Sequence, residues 1–109
     1  MLVYQQDRII PVSTADIALL HLAGGAVQLR TFDGHHFVLD QSLDEFKSAL
    51  TARFFRVNRQ FLLHRPAVRD AAQYFQRKLL VNLTIGPATE PILVSKEKAS
   101  AFLHWLAMT

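Results

Sequence analysis

Asn58, Arg59 and Gln60 are three consecutive hydrogen-bonding side chains set between two apolar stretches, Phe54–Val57 and Phe61–His64. An arginine at the tip of a turn suits one chemistry in particular. Its planar fork matches guanine O6 and N7, which is worth roughly 1–3 kcal/mol of discrimination between bases. A turn a few residues wide also fits a major groove about 12 Å across. Neighbouring residues of an extended chain point to opposite sides, so one of the three must turn inward or bond to the backbone. The competing use of Arg59 is a surface ion pair.

Ser95-Lys96-Glu97-Lys98 is the second candidate, because it opens a segment of helical periodicity. Ser95 stands where a cap belongs, and Glu97 in the first turn suits the helix dipole. Free amides at a helix start attract phosphate, and Lys96 and Lys98 add charge there. The plainer reading is a pair of lysines that solubilise a first turn.

Charge is distributed to match. Residues 53–78 carry seven basic side chains (Arg53, Arg56, Arg59, Arg65, Arg69, Arg77 and Lys78) against one acid, Asp70. Residues 1–52 carry three basic and six acidic side chains, and residues 79–109 two of each. The formal +3 therefore sums a net −3, a net +6 and a neutral end. A basic centre in an otherwise neutral or acidic chain is the sequence footprint of a phosphate-binding face, although solubilising surface arginines give the same count.

Other chemistries find little support. His35 and His36 are adjacent beside a turn, and His21, His64 and His104 are isolated, so no metal spacing emerges. His64 fits a structural role, bonded to backbone. Cysteine is absent, which excludes disulfides, thiol catalysis and Cys-ligated zinc and fits a cytoplasmic location. No serine lies in a nucleophile-elbow context and no glycines form a phosphate loop, so neither an enzyme nor a cofactor is expected. There is no apolar run of membrane-spanning length and no signal-like start. Single-stranded RNA binding would need exposed aromatics among the arginines, and Phe54, Phe55 and Phe61 alternate with them as core residues do. A basic protein-interaction module for an acidic partner is the remaining alternative.

The elements that must position these residues are mostly strands. With 109 residues, half of them hydrophobic, the chain can bury one core. Residues 1–7 read as a leader or linker remnant, and residues 8–109 as the domain. Arg8–Ser13 is a short strand kept at an edge by Pro11. Ile17–Leu22 and Ala26–Phe32 flank the hairpin turn Gly24-Gly25, with Val27 and Leu29 on one face and Gln28 and Arg30 on the other. His36–Asp40 follows the turn Asp33-Gly34. Ser42 and Glu45 have capping-box spacing ahead of a helix whose face is Leu43, Phe46 and Leu50. Phe54–Val57, Phe61–His64, Gln73–Phe75 and Leu79–Leu83 read as strands, and Pro66–Val68 as a short turn. Residues 85–91 are loop, and the last helix buries Ala99, Phe102, Leu103 and Leu106. Trp105 and Tyr74 are assigned to packing. The expected fold is mainly β, antiparallel strands in small packed sheets with two short helices.

The run Phe54-Phe55-Arg56-Val57-Asn58-Arg59-Gln60-Phe61-Leu62-Leu63-His64, closed by Val68, resembles the core motif of the LytTR family. These are bacterial DNA-binding domains, usually fused behind a response-regulator receiver domain. Asp16–Leu20 with Ala23–Gly25 and Val27–Leu29 is similar to the family's opening hairpin, and Ser42–Phe46 with Leu50 to its first helix. Ile92–Lys96, leading into Phe102 and Leu106, is similar to its last strand and C-terminal helix. The resemblance implies sequence-specific binding of double-stranded DNA in transcriptional regulation, as the output domain of a two-component system. It implies a base contact from Arg59 and places Gln60 near phosphate. Lys96 stands where the family commonly has a base-reaching arginine, and lysine keeps the charge without the fork. Asn58, Arg56, Ser95 and Lys98 are expected as backbone or supporting contacts. The tip Ala23–Ala26 has almost no side chain where the family often inserts one, which leaves Gln28 and Arg30 as marginal candidates. Two copies would bind tandem direct repeats on bent DNA. The receiver domain that would dimerise them lies outside this chain, so the isolated domain is expected to be a monomer that pairs on DNA.

Overall fold

Alternation of apolar and polar residues sets the strands in the computed structural model, which describes residues 1–39, 42–44, 46, 50, 52–86 and 91–108. Leu2–Gln5 (β1) and Arg8–Pro11 (β2) form a hairpin. Five strands follow: Ile17–Ala23 (β3), Ala26–Thr31 (β4), His36–Leu39 (β5), Phe54–Arg56 (β6) and Phe61–His64 (β7). They make one antiparallel sheet in the order β5-β4-β3-β7-β6. Val68–Gln73 (β8), Leu79–Leu83 (β9) and Ile92–Val94 (β10) make a three-stranded sheet with β9 in the middle. The helix Lys96–Met108 (α1) ends the described chain.

The central strands β3 and β7 are apolar except for His21 and His64 because both their faces are covered. Leu19, Phe61 and Leu63 project toward the three-stranded sheet and the helix, into one core with Val81, Ile92, Val94, Phe102 and Trp105. Leu20 and Leu62 project the other way, into a second core with Val3, Val27, Leu29, Leu43 and Phe46. Each such side chain contributes about 1.5–3 kcal/mol by leaving water. Between β3 and β4, Gly24 and Gly25 adopt φ of 60° and 79°, the paired left-handed conformation of a two-residue hairpin turn.

Several expectations are revised. Residues 1–7 were set outside the domain, but Leu2–Gln5 is a strand and Val3 is wholly buried. The Leu-Val-Tyr-Gln alternation is too short to stand out, and it becomes a strand by pairing across the turn at Gln6, whose φ is 53°. The strand expected at Gln73–Phe75 is Val68–Gln73 instead, and Phe75–Arg77 is a tight turn. Partners explain the shift, since Val68–Gln73 pairs along β9 while Tyr74 onward must reverse the chain. On α1 it is Trp105, with Phe102, that is buried, whereas Leu103 is exposed. The indole Nε1 of Trp105 donates to the Ala52 carbonyl (2.9 Å), which lets a polar-edged ring sit in the core. Of the earlier helix, Leu43, Asp44 and Phe46 are helical, and the Leu50 amide donates to the Phe46 carbonyl. Glu45 of the capping box lies outside the described residues.

His64 is buried, stacked on Phe54, and bonded through Nδ1 to the Ile17 carbonyl (2.8 Å). Burial holds its imidazole below the usual 6.5, and the nearby Arg53 charge acts in the same sense, against the opposing pull of the Ile17 carbonyl. The sign follows from linkage. With the folded value lowered, the unfolded chain binds more protons between the two values, so stability is full above pH 6.5 and declines as pH falls below it. We expect urea midpoints to drop between about pH 7.5 and about pH 5.5, and His64→Gln to flatten that dependence. An unchanged slope in the variant would show that His64 titrates alike in the folded and unfolded chain.

Candidate nucleic-acid interface

Asn58 is the member of the Asn58–Gln60 triplet that turns inward. Its Oδ1 accepts from the amides of Gln60 (2.8 Å) and Phe61 (2.9 Å), closing a side-chain-capped turn between β6 and β7. Its Nδ2 donates to the Leu93 carbonyl (2.8 Å) on β10, two residues before Ser95. One amide side chain therefore shapes the turn and ties it to the strand that runs into α1.

Arg56 folds beneath the same turn. Its guanidinium donates to the carbonyls of Arg59 (2.8 Å) and Asn58 (3.3 Å) and to the Asp44 carboxylate. Lys98 closes a second brace, donating from Nζ to the Arg56 carbonyl (2.8 Å) with its ammonium over the Phe55 ring. The Gln60 carbonyl accepts from the Leu22 amide (2.7 Å), which sets the Gly24-Gly25 hairpin alongside. A Cβ added at either glycine would meet nothing within 4 Å, so that hairpin tip is open and presents backbone.

Arg56 and Lys98 are committed to backbone carbonyls, which leaves Arg59 on the turn and Lys96 at the helix start as exposed cations without such a bond. Neither has a side-chain partner among the described residues. Arg56, Val57, Asn58, Arg59, Ser95 and Lys98 line an open concavity of about 550 Å³. Gln76, Arg77, Lys78, Ser95, Lys96 and Glu97 line a neighbouring one of about 430 Å³. Ser95 belongs to both, so the turn, the helix start and the β8–β9 turn meet around one residue. The fold thus gathers cations that stand far apart in sequence. Of the acids at the site among the described residues, Asp44 is taken up by Arg56, which leaves Glu97.

Gln28 and Arg30 line neither concavity. Arg30 donates to the Ile85 carbonyl (2.9 Å), pinning the chain beyond β9 to the five-stranded sheet, and its Nε is buried. Its guanidinium is thus part-buried where the chain beyond β9 meets the five-stranded sheet. Gln28 pairs with His21 and Val38 in the middle of a sheet face. Arg77 and Lys78 were counted in the basic centre and not chosen as site residues. Their only sequence signal was charge, and the β8–β9 turn brings them to the helix start. Among the described residues no cluster of His, Asp and Glu is placed to hold a metal ion, and no helix is long and apolar enough to cross a membrane.

A stack of antiparallel sheets that collects unpaired cations around a turn and a helix start has the anatomy of a nucleic-acid-binding domain. The chain belongs to the LytTr DNA-binding domain family, whose model matches residues 7–107. Its fold matches that of the LytTr DNA-binding domain of a Bacillus cereus protein described as a methyl-accepting/DNA response regulator. The TM-score is 0.80 at 21% identity, covering 97% of this chain and 94% of the other. No curated protein matches it.

Proposed function

We propose that this domain binds double-stranded DNA sequence-specifically to regulate transcription, as the cytoplasmic output domain of a bacterial two-component response regulator. The observation that carries the reading is the pairing of two exposed cations, Arg59 and Lys96, without side-chain partners among the described residues, on two elements locked together by Asn58 and Lys98. A base-reading group must be exposed and unpaired, yet held on a rigid support so that little freedom is lost on binding. Arg59 offers the bidentate fork for guanine, and Lys96 offers a point charge for a base acceptor or phosphate. Gln60 is exposed beside Arg59 and serves phosphate. Ser95 lies where both concavities meet and supports the backbone contact. Asn58, Arg56 and Lys98 act by holding the turn against the helix.

Two such domains, brought together by a receiver domain, would occupy tandem direct repeats. The isolated chain is then a monomer that gains affinity when two copies are tethered, through effective concentration. Light scattering at micromolar protein checks this, and a tight dimer would contradict it.

Backbone neutralisation makes binding salt-dependent. If about four to six phosphates are engaged, the log–log slope of affinity against salt is roughly −4 to −5. Fluorescence anisotropy with a labelled duplex over a salt series measures it. A salt-insensitive complex, or no complex with any duplex at low salt, would remove the proposal.

A further inference from the structure

Phe75, at the tip between β8 and β9, is 76% exposed, and Tyr74 beside it is 39% exposed. Their rings meet edge-to-face with centroids 5.1 Å apart. The turn that presents them is tightly built. The Tyr74 amide donates to the Lys78 carbonyl (2.9 Å) and the Lys78 amide to the Phe75 carbonyl (3.1 Å). Gln76 and Arg77 take φ of 59° and 63°, a left-handed pair that non-glycine residues adopt at a cost. The fold holds a large apolar ring out into water on a turn that two hydrogen bonds fix. Arg77 and Lys78 follow one residue beyond the ring and line the same concavity as Lys96.

We infer that the Tyr74–Lys78 turn is a third DNA-contacting element, in which Phe75 packs on the deoxyribose wall of the duplex while Arg77 and Lys78 engage the adjacent phosphates. The inference rests on the DNA-binding reading above and adds a contact of a different chemistry. Each deoxyribose is an apolar patch between two phosphates, so its complement is an exposed apolar ring with cations beside it. An acidic protein partner would satisfy the cations and leave Phe75 unexplained. A hydrophobic partner would cover Phe75 and have to bury Arg77 and Lys78 without partners. The ring fixed on a tight turn loses little freedom on contact, which is what an anchor at the rim of a groove needs. Apolar side chains, phenylalanine among them, are used by other DNA-binding proteins as wedges in a groove.

The test measures binding of a fluorescein-labelled duplex of about 40 base pairs, recovered by selection from random DNA, at several salt concentrations. Phe75→Ala should weaken binding by about fivefold to tenfold at every salt concentration and leave the slope unchanged, because the lost contact is apolar. Arg77→Ala should make the slope shallower by about one. Phe75→Trp should keep the affinity, and its exposed indole emission should change on adding duplex. The ring's exposure means that none of these changes should shift thermal unfolding. If the wild-type chain binds duplex but Phe75→Ala binds equally well and the Phe75→Trp emission is unmoved, this inference is overturned while the DNA-binding reading stands. If the wild-type chain binds no duplex at all, both fall together.

Discussion

Arg59→Ala will weaken binding to the cognate duplex by about 1–3 kcal/mol, roughly fivefold to 150-fold, and will relax preference at one base position. The side chain is exposed and unpartnered among the described residues, so its removal breaks no contact in the folded protein. Stability should therefore stay within about 0.5 kcal/mol of wild type. The turn itself should persist, because its shape comes from Asn58 and Arg56. Affinities for the cognate duplex, its single-base variants and a random duplex separate the cases. If the ratio of cognate to random binding is untouched, Arg59 contacts only the DNA backbone and the base-reading assignment is wrong.

Asn58→Ala will have the larger effect on folding. The substitution removes two hydrogen bonds accepted by Oδ1 and the one donated to the Leu93 carbonyl, together worth about 2–3 kcal/mol. Asn58→Asp keeps the acceptor oxygen, loses the donor to Leu93, and sets a negative charge in the concavity lined by Arg59 and Lys98. It should cost less stability than the alanine variant, about 1–2 kcal/mol, yet weaken DNA binding at least as much. Urea unfolding and duplex binding measured on both variants give the comparison. Equal stability of Asn58→Ala and wild type would show that the turn is held by something other than this side chain.

The difference between the two residues shows how far the sequence could be read. That Asn58, Arg59 and Gln60 form a turn between apolar strands was legible from alternation, since three polar residues interrupt two strands that continue on either side. That one of them must turn inward followed from strand geometry; which one did not, because it depends on the Leu93 carbonyl lying 35 residues away. The partners of Arg30 and Lys98 were illegible for the same reason. A cation's partner in a β domain is set by sheet packing, and backbone carbonyls such as those of Ile85 and Arg56 leave no trace in composition. Strands with strong alternation, such as Ala26–Thr31, were found nearly to the residue. Val68–Gln73 was missed because its Arg-Asp-Ala-Ala-Gln stretch has no apolar stripe, and its pairing with β9 supplies what its side chains do not. Leu103 was expected in the buried stripe but is exposed, while Trp105, assigned to packing, fills the core against the Phe55 and Phe102 rings.

Selection of bound fragments from random duplex DNA, run in parallel with the wild-type chain and Arg59→Ala, tests the central claim most directly. The account predicts that the wild type enriches a short half-site containing an invariant guanine, and that Arg59→Ala recovers the same half-site with that position relaxed. Enrichment of no motif by the wild type at low salt, or identical motifs from both proteins, would contradict it.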